Sequence, residues 1–133
     1  MAEEVRTNQI LKKYASLQEI MLDKDLAKLG DAYVNFVYSL VLSLRLQRPA
    51  GAKVNNQILA RAIKNAGLRE MLPRRIDRHA QGNAAEALIA YAWLKKSLSL
   101  EDCLKFLGEN ENPEEAFAKL LREIGKRLGA FHV

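Results

Sequence analysis

The sequence contains few of the residues that mark several common protein classes. It has one cysteine, Cys103, three prolines and one tryptophan in 133 residues. A lone cysteine excludes an internal disulfide and a multi-cysteine zinc site, and it indicates a reducing compartment. Seven glycines and 49% hydrophobic residues exclude a collagen-like or disordered chain. A β/α barrel needs roughly 250 residues, so we expect one domain over residues 1–133.

Long hydrophobic runs are also missing. The most apolar stretch, residues 32–44, is interrupted by Asn35, Ser39 and Ser43 and is shorter than the roughly 20 residues that cross a bilayer. Three of the first six residues are charged, which predicts no signal peptide. We therefore expect no membrane association and a cytoplasmic location. Lys and Arg number 21 against 16 Asp and Glu, a formal charge of +5 that permits a polyanionic partner without requiring one.

Apolar residues recur at helical spacing, and no segment alternates as a strand does. This pattern predicts an all-α, single-domain bundle of about six or seven helices. We expect a first helix through Ile10, Tyr14, Leu17 and Met21 and a second that stops before residues 49–51. The predicted buried face of the second helix consists of Leu26, Leu29, Tyr33, Phe36, Leu40 and Leu44.

Capping residues mark the later helices. Asn55 or Asn56 can cap a third helix, which Gly67 would end in a left-handed conformation. Ser99 and Asp102 have the spacing of a capping box. The ends of the last helix are marked by Asn112, Pro113 and Gly129. Between the third helix and the capping box at Ser99, a long helix is expected over the apolar run 84–94, with its start left open.

Polar residues interrupt the two most apolar helices. One set follows the second helix at spacings of three and four: Lys28, Asp31, Asn35 and Ser39. In the long helix, Asn83 and Glu86 lie three apart just before the apolar run. A carboxylate there is costly to bury unless it is paired, hydrogen-bonded or bound to a cation. Asp31 and Glu86 are therefore candidate functional residues, and an ion pair of Asp31 with Lys28 or an arginine is the alternative explanation.

Two of these segments carry a family resemblance. Residues 29–32, Leu-Gly-Asp-Ala, and residues 86–89, Glu-Ala-Leu-Ile, resemble the two signature helices of the ribonuclease III catalytic domain. Residues 54–62 and 67–72 are similar to the connecting helix and the turn after it, so the resemblance covers about residues 25–98. It implies a metal-dependent endoribonuclease that acts, as a homodimer, on double-stranded or structured RNA and leaves a 5′-phosphate.

The resemblance also implies residue roles. Asp31 and Glu86 match the catalytic acids that bind Mg²⁺, with Mn²⁺ as an alternative, and Asn83 would contribute through a water molecule. Such a cation keeps several waters, so one or two carboxylates suffice, and it would activate the attacking water. Further acids of the full-length family are replaced here by Lys24, Ala27 and Asn83. The pattern is closer to the short Mini-III branch, which lacks a separate double-stranded-RNA-binding domain.

Basic residues around the proposed site are candidates for RNA phosphate contact, because Lys and Arg neutralise a duplex backbone largely without regard to sequence. These candidates are Lys53, Arg74, Arg75, Arg78 and His79. If the long helix continues backwards through Gly82, then Arg75, His79, Asn83 and Glu86 share a face; a solvated charged turn is the alternative.

Two other functions remain open at the level of sequence. The first is a non-catalytic RNA-binding or ribonucleoprotein-assembly protein with the same fold, which the missing acids would favour. The second is a helical interaction domain unrelated to nucleic acid, which predicts that Asp31 and Glu86 lie far apart or in ion pairs.

Overall fold

Helices account for the regular structure of the chain. The computed structural model describes residues 5–129, so residues 1–4 and 130–133 of the predicted domain lie outside the described residues. Within this range there are six α-helices, two short 3₁₀ turns and no strand, which confirms the all-α prediction. The helices are α1 (Leu17–Met21), α2 (Lys24–Leu46), α3 (Asn56–Asn65), α4 (Arg78–Leu94), α5 (Leu100–Gly108) and α6 (Pro113–Arg127).

Helix α4 forms the centre of the bundle and packs against α1, α2, α3 and α6. Its sequence explains this position, because a helix that is apolar on every side must be covered on every side. Every residue from 84 to 92 is buried, and alanine at five of these positions lets neighbouring helices approach closely. Glu86 is the one charged residue that lies buried among them.

The predicted caps are confirmed where the structure describes them. Asn55 accepts a hydrogen bond from the Ile58 amide at the start of α3, and Gly67 adopts a left-handed φ of 78° after it. Ser99 and Asp102 form a reciprocal capping box. Asn112 caps α6, with a proline at the first position of the helix. These ends follow from local chemistry, since each cap satisfies amide groups that the first helical turn leaves free.

The expected helix through residues 10–21 is wrong. The chain forms a 3₁₀ turn at Thr7–Ile10 and then α1, which begins only after Ser16. Ser16 is extended, and its hydroxyl accepts a hydrogen bond from the Glu19 amide, so it starts a new helix. The residue after the turn, Leu11, is extended as well. Four apolar residues at helical spacing were too few to outweigh this cap.

The predicted buried face of α2 is only partly confirmed. Leu26 is buried, but Leu29, Phe36 and Leu44 are exposed. The buried face contains smaller side chains: Leu26, Ala27, Gly30, Val34, Val37 and Val41. Helix α2 is apolar on two sides, so periodicity alone could not choose between them. The side with glycine, alanine and valine packs against α4 because it permits the closer helix contact.

No helix within residues 5–129 is both long and apolar enough to span a membrane.

Candidate active site

A glycine sets the contact between the two helices that carry the predicted acids. A Cβ atom on Gly30 would overlap the backbone carbonyl of Glu86. The backbones of α2 and α4 therefore touch at this point, and only glycine leaves room for the contact. Asp31 follows Gly30 directly in the sequence. The close approach explains why two residues 55 positions apart meet at one site.

Asp31 and Glu86 line one open cleft of about 350 Å³. Glu86 is only 2% exposed, and its Oε2 atom has no hydrogen-bond partner among the residues described. Burial, the hydrogen bond with Asp31 and the negative charge of Asp31 raise the pKa of Glu86 to about 8, while the Lys53 charge opposes the rise. An unpaired buried carboxylate oxygen is costly, and a bound cation would remove this cost.

Asp31 is half-buried and receives support from its own helix. The Asn35 side-chain amide donates to Asp31 Oδ1 at 3.2 Å, and Asn35 Oδ1 accepts from the backbone amide of Val54 at 2.8 Å. The alternative explanation of Asp31, an ion pair, does not hold within residues 5–129, where the ion pairs involve other carboxylates. Asp31 therefore faces the cleft as an acceptor.

Two serines of α2, Ser39 and Ser43, bind the loop that follows the helix. The hydroxyl of Ser39 donates to the carbonyl of Ala52 and accepts from its amide. The hydroxyl of Ser43 makes the same pair of hydrogen bonds with Ala50. Together with the Asn35–Val54 bond, these contacts hold residues 50–54 along α2, so that Lys53 lines the cleft beside the two acids. The sequence placed Asn35 and Ser39 in a polar stripe, but it did not predict that they bind this loop.

Asn56 lies at the start of α3, and the sequence did not predict it as a functional residue. The Asn56 side-chain amide lies 2.9 Å from Nδ1 of His79 and 3.4 Å from Oδ1 of Asn83. Both partners line the cleft. Gly82 permits the contact, because a Cβ there would come within 2.9 Å of Asn56. Only the cap signal pointed to this position, and the cap is its neighbour Asn55.

The predicted RNA-contacting residues fall into two groups. Lys53 and His79 line the cleft, whereas Arg74, Arg75 and Arg78 are not among its lining residues in the part of the chain that the structure describes. Helix α4 begins at Arg78 with Asp77 as its cap, so it extends back through residue 82 but not to Arg75. The expected shared face of Arg75 with Glu86 is therefore wrong. All three arginines are exposed.

The cleft is lined by two carboxylates, three lysines, a histidine and an amide, with Ala27 completing the wall. Between residues 5 and 129 there is no cluster of three or more acidic, histidine or cysteine side chains suited to a metal. The two carboxylates, one with an unpaired oxygen, nevertheless match the oxygen donors that a hard divalent cation prefers when it keeps several of its waters. Asp31, Glu86 and Asn83 therefore fit such a cation.

A protein-family model described as Ribonuclease III matches residues 24–131. The match includes α2, the cleft and all four of the later helices. None of the curated proteins compared with the chain matches it.

Proposed function

The chain belongs to the ribonuclease III family, and from this premise we propose that it is a metal-dependent endoribonuclease acting on double-stranded or structured RNA. The observation that carries the proposal is the convergence of Asp31 and Glu86, from two helices, on one open cleft. The unpaired Oε2 atom of Glu86 gives this cleft an acceptor that lacks a partner. A carboxylate pair in the wall of an open cleft suits the binding of a cation beside a phosphodiester.

Asp31 and Glu86 would hold Mg²⁺, or Mn²⁺ in its place, and Asn83 would hold a water at the same site. When bound, the cation supplies positive charge that activates water and stabilises the phosphate and the leaving oxygen. Lys53 lies beside the acids, where its ammonium group can contact a phosphate oxygen. His79 accepts at Nδ1 from the side-chain amide of Asn56, which holds its ring at the edge of the cleft.

The arginines outside the cleft would bind RNA away from the site of cleavage. Arg74, Arg75 and Arg78 are exposed next to the start of α4, where they would contact the RNA backbone beyond the site of cleavage. Contacts of this kind give affinity without sequence preference. An A-form duplex is recognised mainly by its shape, phosphates and 2′-hydroxyls. We therefore expect binding that weakens strongly with salt.

The proposal includes a homodimer. The large exposed hydrophobic residues within the described range all belong to residues 5–46: Val5, Ile10, Leu22, Leu29, Phe36, Leu44 and Leu46. Leu29 and Phe36 lie seven positions apart on α2, so they share one side of that helix. Exposed apolar residues concentrated in one part of the chain favour a protein partner, and a second copy would place two clefts on one duplex. A cytoplasmic location fits Cys103, which is a free buried thiol.

A non-catalytic RNA-binding or ribonucleoprotein-assembly protein is the second candidate. The observation that favours it is that Lys24 and Ala27 line the cleft, at positions where the family resemblance implies two acids. This alternative predicts salt-sensitive duplex binding without metal-dependent products.

Cleavage of labelled duplex RNA separates the two functions. Purified protein is incubated with Mg²⁺, with Mn²⁺ or with chelator, alongside Asp31→Asn and Glu86→Gln, which keep the side-chain shape. We expect cleavage only with the metals and a loss of at least about 100-fold in each variant. Glu101→Gln is the matched control, because Glu101 is exposed on α5. Duplex binding without cleavage in the wild type would favour the non-catalytic function, and full cleavage by Glu86→Gln would reject the assigned acids.

A further inference from the structure

The charge around the cleft is unusual for a metal site. Its lining contains two carboxylates against three ammonium groups, from Lys24, Lys28 and Lys53, with His79 nearby. Lys24 and Lys28 lie one helical turn apart on α2, and Lys53 is held in place by the loop bound along that helix. The net charge of the side chains that line the described cleft is therefore positive before any cation binds, even with both acids ionised.

This balance limits the number of cations that the cleft can hold. One divalent cation can share Asp31 and Glu86 and complete its shell with water. A second would have no carboxylate of its own, since Asp31 and Glu86 are the two acidic residues among the described lining of the cleft. It would also lie close to lysines of like charge, which disfavour it.

This inference rests on the proposed function and deepens it. We propose that the cleft takes one divalent cation per chain, at Asp31 and Glu86, and that Lys24, Lys28 and Lys53 supply the remaining positive charge to the RNA phosphate. The second, independent observation beside the acid pair is the unpaired, almost fully buried Oε2 atom of Glu86. The lysines then contribute to phosphate binding in a way that does not depend on metal concentration.

The first test counts bound ions without RNA. Mn²⁺ is titrated into the full chain, and free Mn²⁺ is followed by electron paramagnetic resonance. We expect one ion per chain in the wild type and none in Glu86→Gln, with circular dichroism confirming that the variant is folded. Two ions per chain would overturn the inference and leave the proposed function standing. No bound ion would also overturn the inference. If the RNA assay then shows no cleavage either, the proposed function is overturned with it.

The second test addresses the lysines. The double variant Lys24→Met, Lys28→Met keeps long side chains but removes two charges. We expect Mn²⁺ affinity to rise roughly two- to fivefold, and the salt dependence of duplex binding to fall by about one unit of log–log slope for each lysine. Lys64→Met, an exposed lysine on α3, is the control and should change neither quantity. Unchanged Mn²⁺ affinity and unchanged salt dependence in the double variant would overturn the role of the lysines.

Discussion

Helices α2 and α4 each carry one acid of the cleft but lie in contrasting surroundings. Helix α4 is covered by four other helices, whereas α2 buries one side and exposes Leu29 and Phe36 on the other. Glu86 is accordingly almost fully buried, and the pKa of its carboxyl is raised to about 8. Asp31 is half-buried and accepts from Asn35. Two chemically similar groups thus acquire distinct properties from the helices that carry them.

The largest expected effect comes from breaking the contact between the two helices. Gly30→Ala places a methyl group on the backbone of Glu86, so the helices must separate. We expect a loss of more than about 3 kcal/mol in the free energy of unfolding, measured by urea denaturation. Gly51→Ala is the control, because a Cβ there meets no described atom within 4 Å. Equal stability of Gly30→Ala and the wild type would contradict the close approach.

A core truncation measures how firmly α4 is embedded. Leu88 is fully buried on α4, so Leu88→Ala should lower the free energy of unfolding by about 3 kcal/mol through lost burial and a cavity. The same denaturation experiment on Leu44→Ala, at an exposed position of α2, should give a change below about 1 kcal/mol. If the two variants lose similar amounts of unfolding free energy, α4 is not more deeply buried than the exposed side of α2.

A pH titration tests the burial of Glu86 directly. The pKa of this carboxyl is raised from 4.5 to about 8 in the folded protein, so between these values the unfolded chain has released a proton that the folded chain retains. The contribution of this group to the free energy of unfolding is therefore largest below about pH 4.5. It falls as the pH rises from about 4.5 to about 8 and stays constant above that. In chelator at pH 8, we expect Glu86→Gln to be more stable than the wild type by about 2 kcal/mol.

The measurement is thermal or urea unfolding of both proteins from pH 5 to 9. The difference between them should grow with pH, because glutamine does not titrate. A difference that stays constant across this range would show that Glu86 has an ordinary pKa.

The smallest effect on the monomer is expected at the exposed side of α2. Phe36 is 55% exposed, so Phe36→Ser should change the stability of an isolated chain by less than about 0.5 kcal/mol. The same substitution should weaken the proposed dimer at least tenfold, because it removes a central apolar contact. Light scattering across a dilution series measures this, and an unchanged dimer would place the interface elsewhere.

The sequence predicted those features that depend on few residues. Helix caps at Asn55, Ser99 and Asn112 were correct because capping is a local hydrogen bond. The meeting of Asp31 and Glu86 was implied by the family resemblance, and the structure shows both acids in one cleft. The buried side of α2 was mispredicted because Leu29 and Phe36 have core-like spacing, and only the backbone contact at Gly30 decides which side faces α4.

Features that depend on a tertiary contact were missed. Asn56 gave no signal as a site residue, since its partners, His79 and Asn83, lie more than 20 positions later. Arg75 was placed on the wrong face because the start of α4 depends on the cap at Asp77, which the apolar pattern does not reveal.

The attachment of residues 50–54 to α2 has a mechanical consequence. Lys53 and Asp31 belong to the same rigid unit, because the loop is tied to the helix through Asn35, Ser39 and Ser43. Glu86 belongs to the other unit, the central helix. Because α2 and α4 touch backbone to backbone at Gly30, helix packing sets the distance between the two acids, whereas the place of Lys53 beside them depends on the side chains of Asn35, Ser39 and Ser43.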